Sequence, residues 1–241
     1  MNLSKGSEQS GAHQSYDWIN DPSYQPTLAE VQEAQNTQEG KTAIHSYYRP
    51  SSGPERFEIW TDEYISELAK YLGRTLAHYD RKEGTVLEIG AGDGRLSGLL
   101  RQKMAAKKLG ALVVATDVAP PERTYFPVET LSYEEALQKY EPTIAISSWM
   151  PLDEDWTQAM RATPSLLDYI LIGSPKLSGN ISSWQDENVD FSPIELHYLD
   201  ALRVGQFSGG DVRTSYQSLT RGFRRFASTQ TERPVANTPI R

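Results

Sequence analysis

From about residue 60 onward, apolar and polar residues follow two alternating patterns along the chain. Short, nearly continuous apolar runs such as 85–89 and 143–147 are typical of strands that are covered on both faces of a sheet. Between these runs, apolar residues recur every three or four positions, as on the buried face of a helix. The alternation predicts an α/β fold built on a doubly wound, mostly parallel sheet.

Seven strands can be assigned from these runs and from the turn residues between them. The last two, 198–207 and 216–226, are separated by the turn sequence Ser-Gly-Gly-Asp at 208–211, which predicts an antiparallel hairpin at the C-terminal end of the sheet. The predicted seven-stranded sheet contains 85–89, 111–116, 125–129, 143–147, 169–172, 198–207 and 216–226.

Three helices have clear start or stop signals. Thr61 is a suitable cap for a helix with a strongly apolar face. A second helix, 95–108, is expected to end before Gly110. A third begins after Ser132, which forms a capping-box pattern with Glu135.

Composition divides the chain into three parts. Residues 1–45 are rich in Gln, Ser, Asn and Glu, and alone they cannot bury enough apolar surface to offset the entropy of the chain. We therefore expect 1–45 to be a polar, flexible arm, either a disordered tail or a lid over the functional site. Residues 46–230 are expected to form the folded domain, and 231–241 a flexible tail.

The segment 85–96, TVLEIGAGDGRL, joins a strand to a helix through Gly90, Gly92 and Gly94. Glycine lets the backbone approach a ligand closely, and the amides at a helix start favour polar groups. A dinucleotide fingerprint would need glycine in place of Arg95, and a P-loop would end in Gly-Lys-Ser/Thr. The pattern E-x-G-x-G-x-G instead resembles the first motif of the class I S-adenosylmethionine (SAM) dependent methyltransferases. A glycine-rich turn without a ligand is the alternative.

A second acidic position, Asp117, follows the second predicted strand. In doubly wound sheets such a residue accepts hydrogen bonds from ribose hydroxyls, although a solvated loop aspartate is the alternative. The resemblance implies that Glu88 helps to fix the methionine end of SAM and that the loop after the third strand brackets the adenine. Ser132, in that loop, is also the predicted helix cap. The expected cofactor-binding residues are Glu88, Gly90, Ala91, Gly92, Gly94, Asp117, Val118, Leu131, Ser132, Ser147 and Ser148.

Charge and composition narrow the function classes. A formal net charge of −8 and a pI near 5.1 disfavour nucleic acid as a partner. The absence of cysteine excludes disulfides, thiolate metal sites and the cysteine nucleophile of cytosine C5 methyltransferases, and no metal is expected. Since no apolar stretch approaches a membrane span and the start lacks a signal-peptide core, we expect a cytoplasmic protein with a small-molecule partner and no membrane contact.

Two residues are candidates for the chemistry of methyl transfer. Trp149 follows the fourth predicted strand, where its ring could contact a sulfonium or a planar substrate, or could simply pack in the core. His197 is the best-placed of four histidines for a general base, with a structural role as the alternative. A sulfonium methyl is already electrophilic, so the protein must mainly align donor and acceptor and exclude water.

These observations lead to one functional hypothesis and two alternatives. We expect a SAM-dependent methyltransferase that acts on an O or N atom of a small, aromatic or polycyclic molecule, with S-adenosylhomocysteine as the cofactor product. The lack of a clear base keeps open a SAM-binding protein that does not methylate, with a pericyclase-like or regulatory role. The third reading is a protein or RNA methyltransferase that uses its polar arm for docking.

Overall fold

Seven strands form one central sheet in the computed structural model of this chain, which describes residues 16, 21, 24–50, 55–185, 190–205 and 219–226. A separate two-stranded sheet lies beside the N-terminal helices. In chain order the elements are α1 (Leu28–Gln35), α2 (Gln38–Tyr48), β1 (Glu58–Ile59), α3 (Asp62–His78), β2 (Thr85–Ile89), α4 (Arg95–Ala106), β3 (Leu112–Asp117), β4 (Glu129–Thr130), α5 (Tyr133–Tyr140), β5 (Ile144–Ser148), α6 (Thr157–Ala162), β6 (Asp168–Gly173), a 3-10 helix (Ile181–Trp184), β7 (Phe191–Glu195), α7 (His197–Asp200), β8 (Val204–Gly205) and β9 (Leu219–Arg225).

The strand order across the large sheet is β4-β3-β2-β5-β6-β9-β7. The first five strands run parallel, whereas β9 lies antiparallel between β6 and β7. This confirms the predicted fold class, a doubly wound and mostly parallel seven-stranded sheet with an antiparallel C-terminal end. Because β3 and β5 flank β2 on opposite sides, the carboxyl ends of β2 and β5 meet at the point where the strand order reverses. Ligands of open α/β sheets bind at that point.

Helices cover both faces of the sheet and create two apolar cores. One core joins α3 and α4 to the sheet and includes Leu68 and Leu100, which are fully buried. The other joins α5 and α6 to the opposite face through Leu137 and Met160. The Oγ atom of Thr61 accepts a hydrogen bond at the start of α3, as the sequence predicted. Coverage on both faces explains why β2 and β5 are almost continuously apolar.

The predicted C-terminal hairpin is wrong in its pairing. Within 198–207 the chain forms the end of α7 and the short strand β8, and β8 pairs with β1 rather than with β9. The antiparallel partner of β9 is β7, which contains Pro193 and so does not read as a strand. The predicted turn at 208–211 lies outside the described residues.

The third predicted strand, 125–129, is also wrong except at its last residue. Of this region only the two residues of β4 pair with β3. The amide of Tyr125 instead donates a hydrogen bond to the carbonyl of Asp93, 3.0 Å away. The ring of Phe126 packs on α4 at Gly98, where a β-carbon would lie about 2.0 Å from the ring. The capping box of Ser132 and Glu135 at α5 is confirmed.

Residues 28–48, most of which belong to the predicted N-terminal arm, form two helices in the structure. Helices α1 and α2 carry capping threonines, Thr27 and Thr37, and α2 runs across the predicted boundary at residue 45. Their apolar side chains pack with β1 and β8, and the Tyr48 hydroxyl donates to the carbonyl of Val204 at 2.9 Å. This small core uses residues that are far apart in sequence, so local composition does not reveal it. The tail 231–241 lies outside the described residues.

Candidate functional site

The glycine loop between β2 and α4 uses its three glycines in two different ways. Gly90, Gly92 and Gly94 all have positive φ, at 70°, 54° and 76°. A β-carbon at Gly90 would collide with the ring of Trp156, and one at Gly94 would collide with Val128. A β-carbon at Gly92 would meet nothing within 4 Å. Gly92 therefore faces open space, as expected where a loop receives a ligand.

The loop is fastened to the neighbouring strand β3. The amide of Gly92 donates to Oδ2 of Asp117 at 2.9 Å, and the amide of Ala91 donates to the carbonyl of Thr116 at 3.0 Å. The other carboxylate oxygen of Asp117 accepts from the amide of Ala119, also at 2.9 Å. These bonds hold the loop and the end of β3 in one rigid arrangement.

Glu88 lies at the end of β2 and is almost completely buried. Its Oε2 accepts hydrogen bonds from the amide and the hydroxyl of Ser97, at 2.9 and 2.6 Å. Burial raises the pKa of Glu88 to about 7, although the bonds from Ser97 oppose the shift. The carboxyl thus forms hydrogen bonds to the first turn of α4 and also borders a cavity next to the glycine loop.

Two cavities lie at the carboxyl ends of the strands. The first, about 160 Å³, is bordered by the glycine loop and by side chains of the 55–60 segment and α4; we refer to it as the arginine cavity, after Arg56 and Arg95 in its wall. The second, about 400 Å³, is bordered by Asp117, Leu131 and Trp156, and we refer to it as the Asp117 cavity. Both are bordered by Gly90 and Trp149, so the two cavities are neighbours at the switch point of the sheet.

Trp149 stands between the two cavities in a constrained position. Its φ is +57°, which is uncommon for a bulky side chain. The indole nitrogen donates to a carboxylate oxygen of Glu58 at 3.0 Å, and the ring stacks on Phe57 with centroids 4.9 Å apart. Glu58 is buried and also pairs with Arg203. The side chain of Trp149 is therefore held in place by contacts that come from the 55–60 segment.

The structure brings most of the predicted cofactor-binding residues to these cavities. Glu88, Gly90, Ala91, Gly92 and Ser148 border the arginine cavity, and Gly90, Asp117, Val118, Leu131 and Ser132 border the Asp117 cavity. Ser132 also caps α5. Gly94 caps α4 and borders neither cavity, and Ser147 is buried without contributing to either.

His197 does not border either cavity. It begins the short helix α7, its side chain is 79% exposed, and it lies 3.6 Å from Glu195 and 3.7 Å from Asp200. Its surroundings are those of a surface histidine between two carboxylates. Of the two residues considered for catalysis, the structure thus places Trp149 alone at the cavities.

Several cavity residues were not predicted from the sequence. Arg56, Phe57, Glu58 and Trp60 come from the segment before α3, and no local motif marks them. Trp156 stacks on Tyr133 at 5.5 Å and forms one wall of the Asp117 cavity. Arg95 did carry a signal, because it replaces the third glycine of a dinucleotide motif.

Strand order and direction identify the architecture. Five strands are parallel, the order in which the chain adds them to the sheet changes direction beside β2, and the final strand, β9, is inserted antiparallel between β6 and β7. The fold is that of the class I methyltransferases. Within the described residues no helix combines the length and apolarity needed to span a membrane. No group of three or more metal-ligating side chains occurs in that part of the chain either.

Comparisons with known proteins find only low similarity. No protein-family model and no curated protein matches the sequence. Among solved structures, the CurJ carbon methyltransferase is 13% identical, with a TM-score of 0.45, over 86% of this chain and 61% of its own. The carbon methyltransferase (CMeT) domain of the citrinin polyketide synthase is 12% identical, with a TM-score of 0.43, over 82% and 59%. The DszA carbon methyltransferase is 9% identical, with a TM-score of 0.44, over 80% and 60%.

This chain therefore spans about 60% of the length of those solved chains.

Proposed function

We propose that the protein is a SAM-dependent methyltransferase that acts on an O or N atom of a small, aromatic or polycyclic molecule. The observation that carries the proposal is that two neighbouring cavities are both bordered by Gly90, in a glycine loop whose Gly92 faces open space. An elongated ligand with two different ends would fit across this point. SAM is such a ligand, because it joins an adenosine to an amino acid through its sulfonium.

The residues of each cavity suit one end of that cofactor. In the Asp117 cavity, a carboxylate at the end of β3 is placed to accept hydrogen bonds from ribose hydroxyls, and Leu131 and Trp156 offer apolar surface for a planar base. In the arginine cavity, charged groups of both signs suit an amino-acid end. Gly92 leaves room for close approach between the two.

Bound SAM would supply an activated methyl group, so the protein's own contribution is alignment and exclusion of water. Three aromatic side chains border the arginine cavity: Phe57 and Trp60 from the 55–60 segment, and Trp149 directly after β5. Such surfaces favour a planar acceptor by stacking. The acceptor would enter beside Trp149 and Ser148, at the carboxyl end of β5.

A second candidate function is binding of SAM without methyl transfer. Among the described residues that border the two cavities there is no histidine or lysine. Two of the carboxylates there already have partners: Glu88 is bonded to Ser97, and Glu58 to Arg203 and Trp149. A protonated oxygen or nitrogen acceptor needs a base, so this arrangement favours a cofactor-binding role that needs none.

Calorimetry with S-adenosylhomocysteine tests the cofactor. We expect binding by the full chain and loss of binding in Gly92→Arg, because the arginine would fill the open space beside the loop. Gly110→Arg is the matched control, since Gly110 is exposed at the turn before β3. Absence of binding to the unmodified chain would remove the proposal.

Methyl-labelled SAM then distinguishes the two candidates. The chain is incubated with the labelled cofactor and a set of small phenols and aromatic amines, and the products are analysed by mass spectrometry. A labelled product supports methyl transfer. Cofactor binding with no labelled product in any reaction would favour the non-transferring role.

A further inference from the structure

Two arginines lie side by side in the wall of the arginine cavity. The guanidinium of Arg56 is 4.9 Å from the ring centre of Tyr47 and 5.5 Å from that of Tyr125. The guanidinium of Arg95 is 5.5 and 4.7 Å from the same two rings. Both charges are therefore held between one pair of aromatic faces, which fixes their positions.

These arginines keep hydrogen-bond donors without acceptors inside the protein. Nε of Arg56 and both Nε and Nη2 of Arg95 are buried and have no hydrogen-bond partner among the described residues. The nearest carboxylate oxygen, Oδ2 of Asp93, is 3.8 Å from Arg56 Nε and 4.0 Å from Arg95 Nε, too far for a hydrogen bond. The side chain of Arg95 is only 7% exposed.

Other donors of the two side chains do have acceptors: Arg56 donates from Nη1 to the carbonyl of Tyr47 and from Nη2 to the hydroxyl of Tyr125, and Arg95 donates from Nη1 to the hydroxyl of Tyr47. Leaving the remaining donors buried without acceptors is costly, because they have lost their hydration and form no hydrogen bond in return. Two guanidiniums face the single carboxylate of Asp93 at these distances. The planar fork of an arginine matches the two oxygens of a carboxylate. A carboxylate in the cavity would satisfy the free donors and balance the second positive charge.

The other acidic groups of the cavity are placed differently. Glu58 is paired with Arg203, Glu88 is bonded to Ser97, and Glu55 is exposed at the rim. None of these three forms an ion pair with Arg56 or Arg95 in the structure. They leave the two arginines available for a ligand, and they suit a ligand that also carries a positive group.

We propose that Arg56 and Arg95 form a binding site for the carboxylate of a ligand in the arginine cavity. The inference rests on the proposed function for the nature of that ligand. The carboxylate belongs either to the amino-acid end of the cofactor or to the methyl acceptor. Both sources share the same chemistry, and their binding behaviour separates them.

The experiment compares S-adenosylhomocysteine with its decarboxylated analogue, which keeps the amine and the adenosine. Affinities are measured by calorimetry for the full chain, for Arg95→Met and Arg56→Met, and for Arg101→Met as a matched control. Arg101 lies on the same helix as Arg95 but bonds to the carbonyl of Val113, outside the cavity. A second arm titrates 4-hydroxybenzoate into the protein saturated with S-adenosylhomocysteine.

If the carboxylate belongs to the cofactor, we expect Arg95→Met and Arg56→Met each to lower the affinity for S-adenosylhomocysteine about tenfold or more. Each variant should lower the affinity for the decarboxylated analogue less than about threefold, and Arg101→Met should change neither affinity. With the acceptor as the source, both nucleosides bind all variants alike, and 4-hydroxybenzoate binds only when both arginines are present. Thermal melts check folding, and Arg95→Lys, which keeps the charge, replaces Arg95→Met if that variant is unfolded.

The inference is overturned if the arginine variants change the affinities for the two nucleosides equally, or change neither, and 4-hydroxybenzoate either does not bind or binds independently of the two arginines. Failure of the proposed function looks different: the unmodified chain then binds neither nucleoside. In that case 4-hydroxybenzoate is titrated into the free protein, and dependence of its binding on Arg56 and Arg95 supports the carboxylate site, whereas independence or absence of binding overturns it.

Discussion

The backbone amide of Gly92 donates a hydrogen bond to the side chain of Asp117 across 2.9 Å. The sequence predicted both residues as separate contacts to a cofactor; what the structure shows is a contact between the two residues themselves. The acid at the end of β3 thus holds the loop in the shape in which Gly92 faces open space. One oxygen of Asp117 is bonded to the loop and the other to the amide of Ala119, so the carboxylate is fixed in orientation.

Asp117→Ala is therefore expected to weaken S-adenosylhomocysteine by about tenfold or more, because it removes both the proposed ribose acceptor and the support of the loop. Calorimetry measures the affinity. Asp117→Asn is the matched control, since its amide oxygen can still accept the hydrogen bond from the amide of Gly92. It should therefore lose less affinity for S-adenosylhomocysteine than Asp117→Ala. Equal affinities for the alanine variant and the unmodified chain would contradict this role.

The fold could be predicted from the sequence wherever local pattern and tertiary packing agree. Strands β2, β3, β5 and β6 are apolar because helices cover both faces, and the caps of α3 and α5 follow from local hydrogen bonding. Strand β7 was missed because it contains Pro193 and lies at the edge of the sheet, where proline is tolerated.

The site could be predicted only where its residues belong to a motif. The glycine loop and Asp117 follow strand ends, so their positions are fixed by topology. Arg56, Phe57 and Trp60 reach the cavity because α1 and α2 pack on β8 and hold the 55–60 segment against the loop. That packing joins residues more than 150 positions apart, as in the bond from Tyr48 to Val204, and local sequence does not encode it.

A second prediction concerns Glu88 and pH. Because burial raises its pKa from 4.5 to about 7, the folded chain binds more protons than the unfolded chain between those values. This carboxyl therefore costs stability as the pH rises through the window. Glutamine does not titrate, so the free energy of unfolding of Glu88→Gln should rise relative to that of the unmodified chain between pH 5 and pH 8. The rise should be on the order of 3 kcal/mol at most.

Urea unfolding at the two pH values measures the difference for Glu88→Gln. Glu83→Gln, a change of the same kind at an exposed site, serves as the control and should show no such trend. Unfolding free energies that run parallel for the Glu88 variant and the unmodified chain over this range would show that the buried carboxyl does not titrate there.

A third prediction concerns Asp168, which is fully buried at the start of β6. Its oxygens accept from Arg224 at 2.9 Å and from the hydroxyls of Tyr71 and Tyr79. Asp168→Asn removes the charge that balances Arg224 and should lower the free energy of unfolding by about 3 kcal/mol. Urea unfolding provides the measurement, with the exposed Asp80→Asn as control. A change below about 1 kcal/mol would contradict a structural role for this pair.

The last prediction tests whether the N-terminal helices are part of the site. Val31 is fully buried in the small core that also contains Tyr47 and Tyr48. A carboxylate cannot be buried there without a partner, so Val31→Asp should unfold α1 and α2 locally while the central sheet stays intact. Limited proteolysis should then cut within 24–50 at protease concentrations that leave the unmodified chain whole.

Local unfolding should also reach the cavity, because Nη1 of Arg95 donates to the hydroxyl of Tyr47 at 3.3 Å. The affinity for S-adenosylhomocysteine is therefore expected to fall in Val31→Asp but not in Gln32→Asp, an exposed position on the same helix. If Val31→Asp is cut no faster than Gln32→Asp, the two helices are not held by this core. If it is cut faster and the affinity is unchanged, they fold on the domain without supporting the arginine cavity.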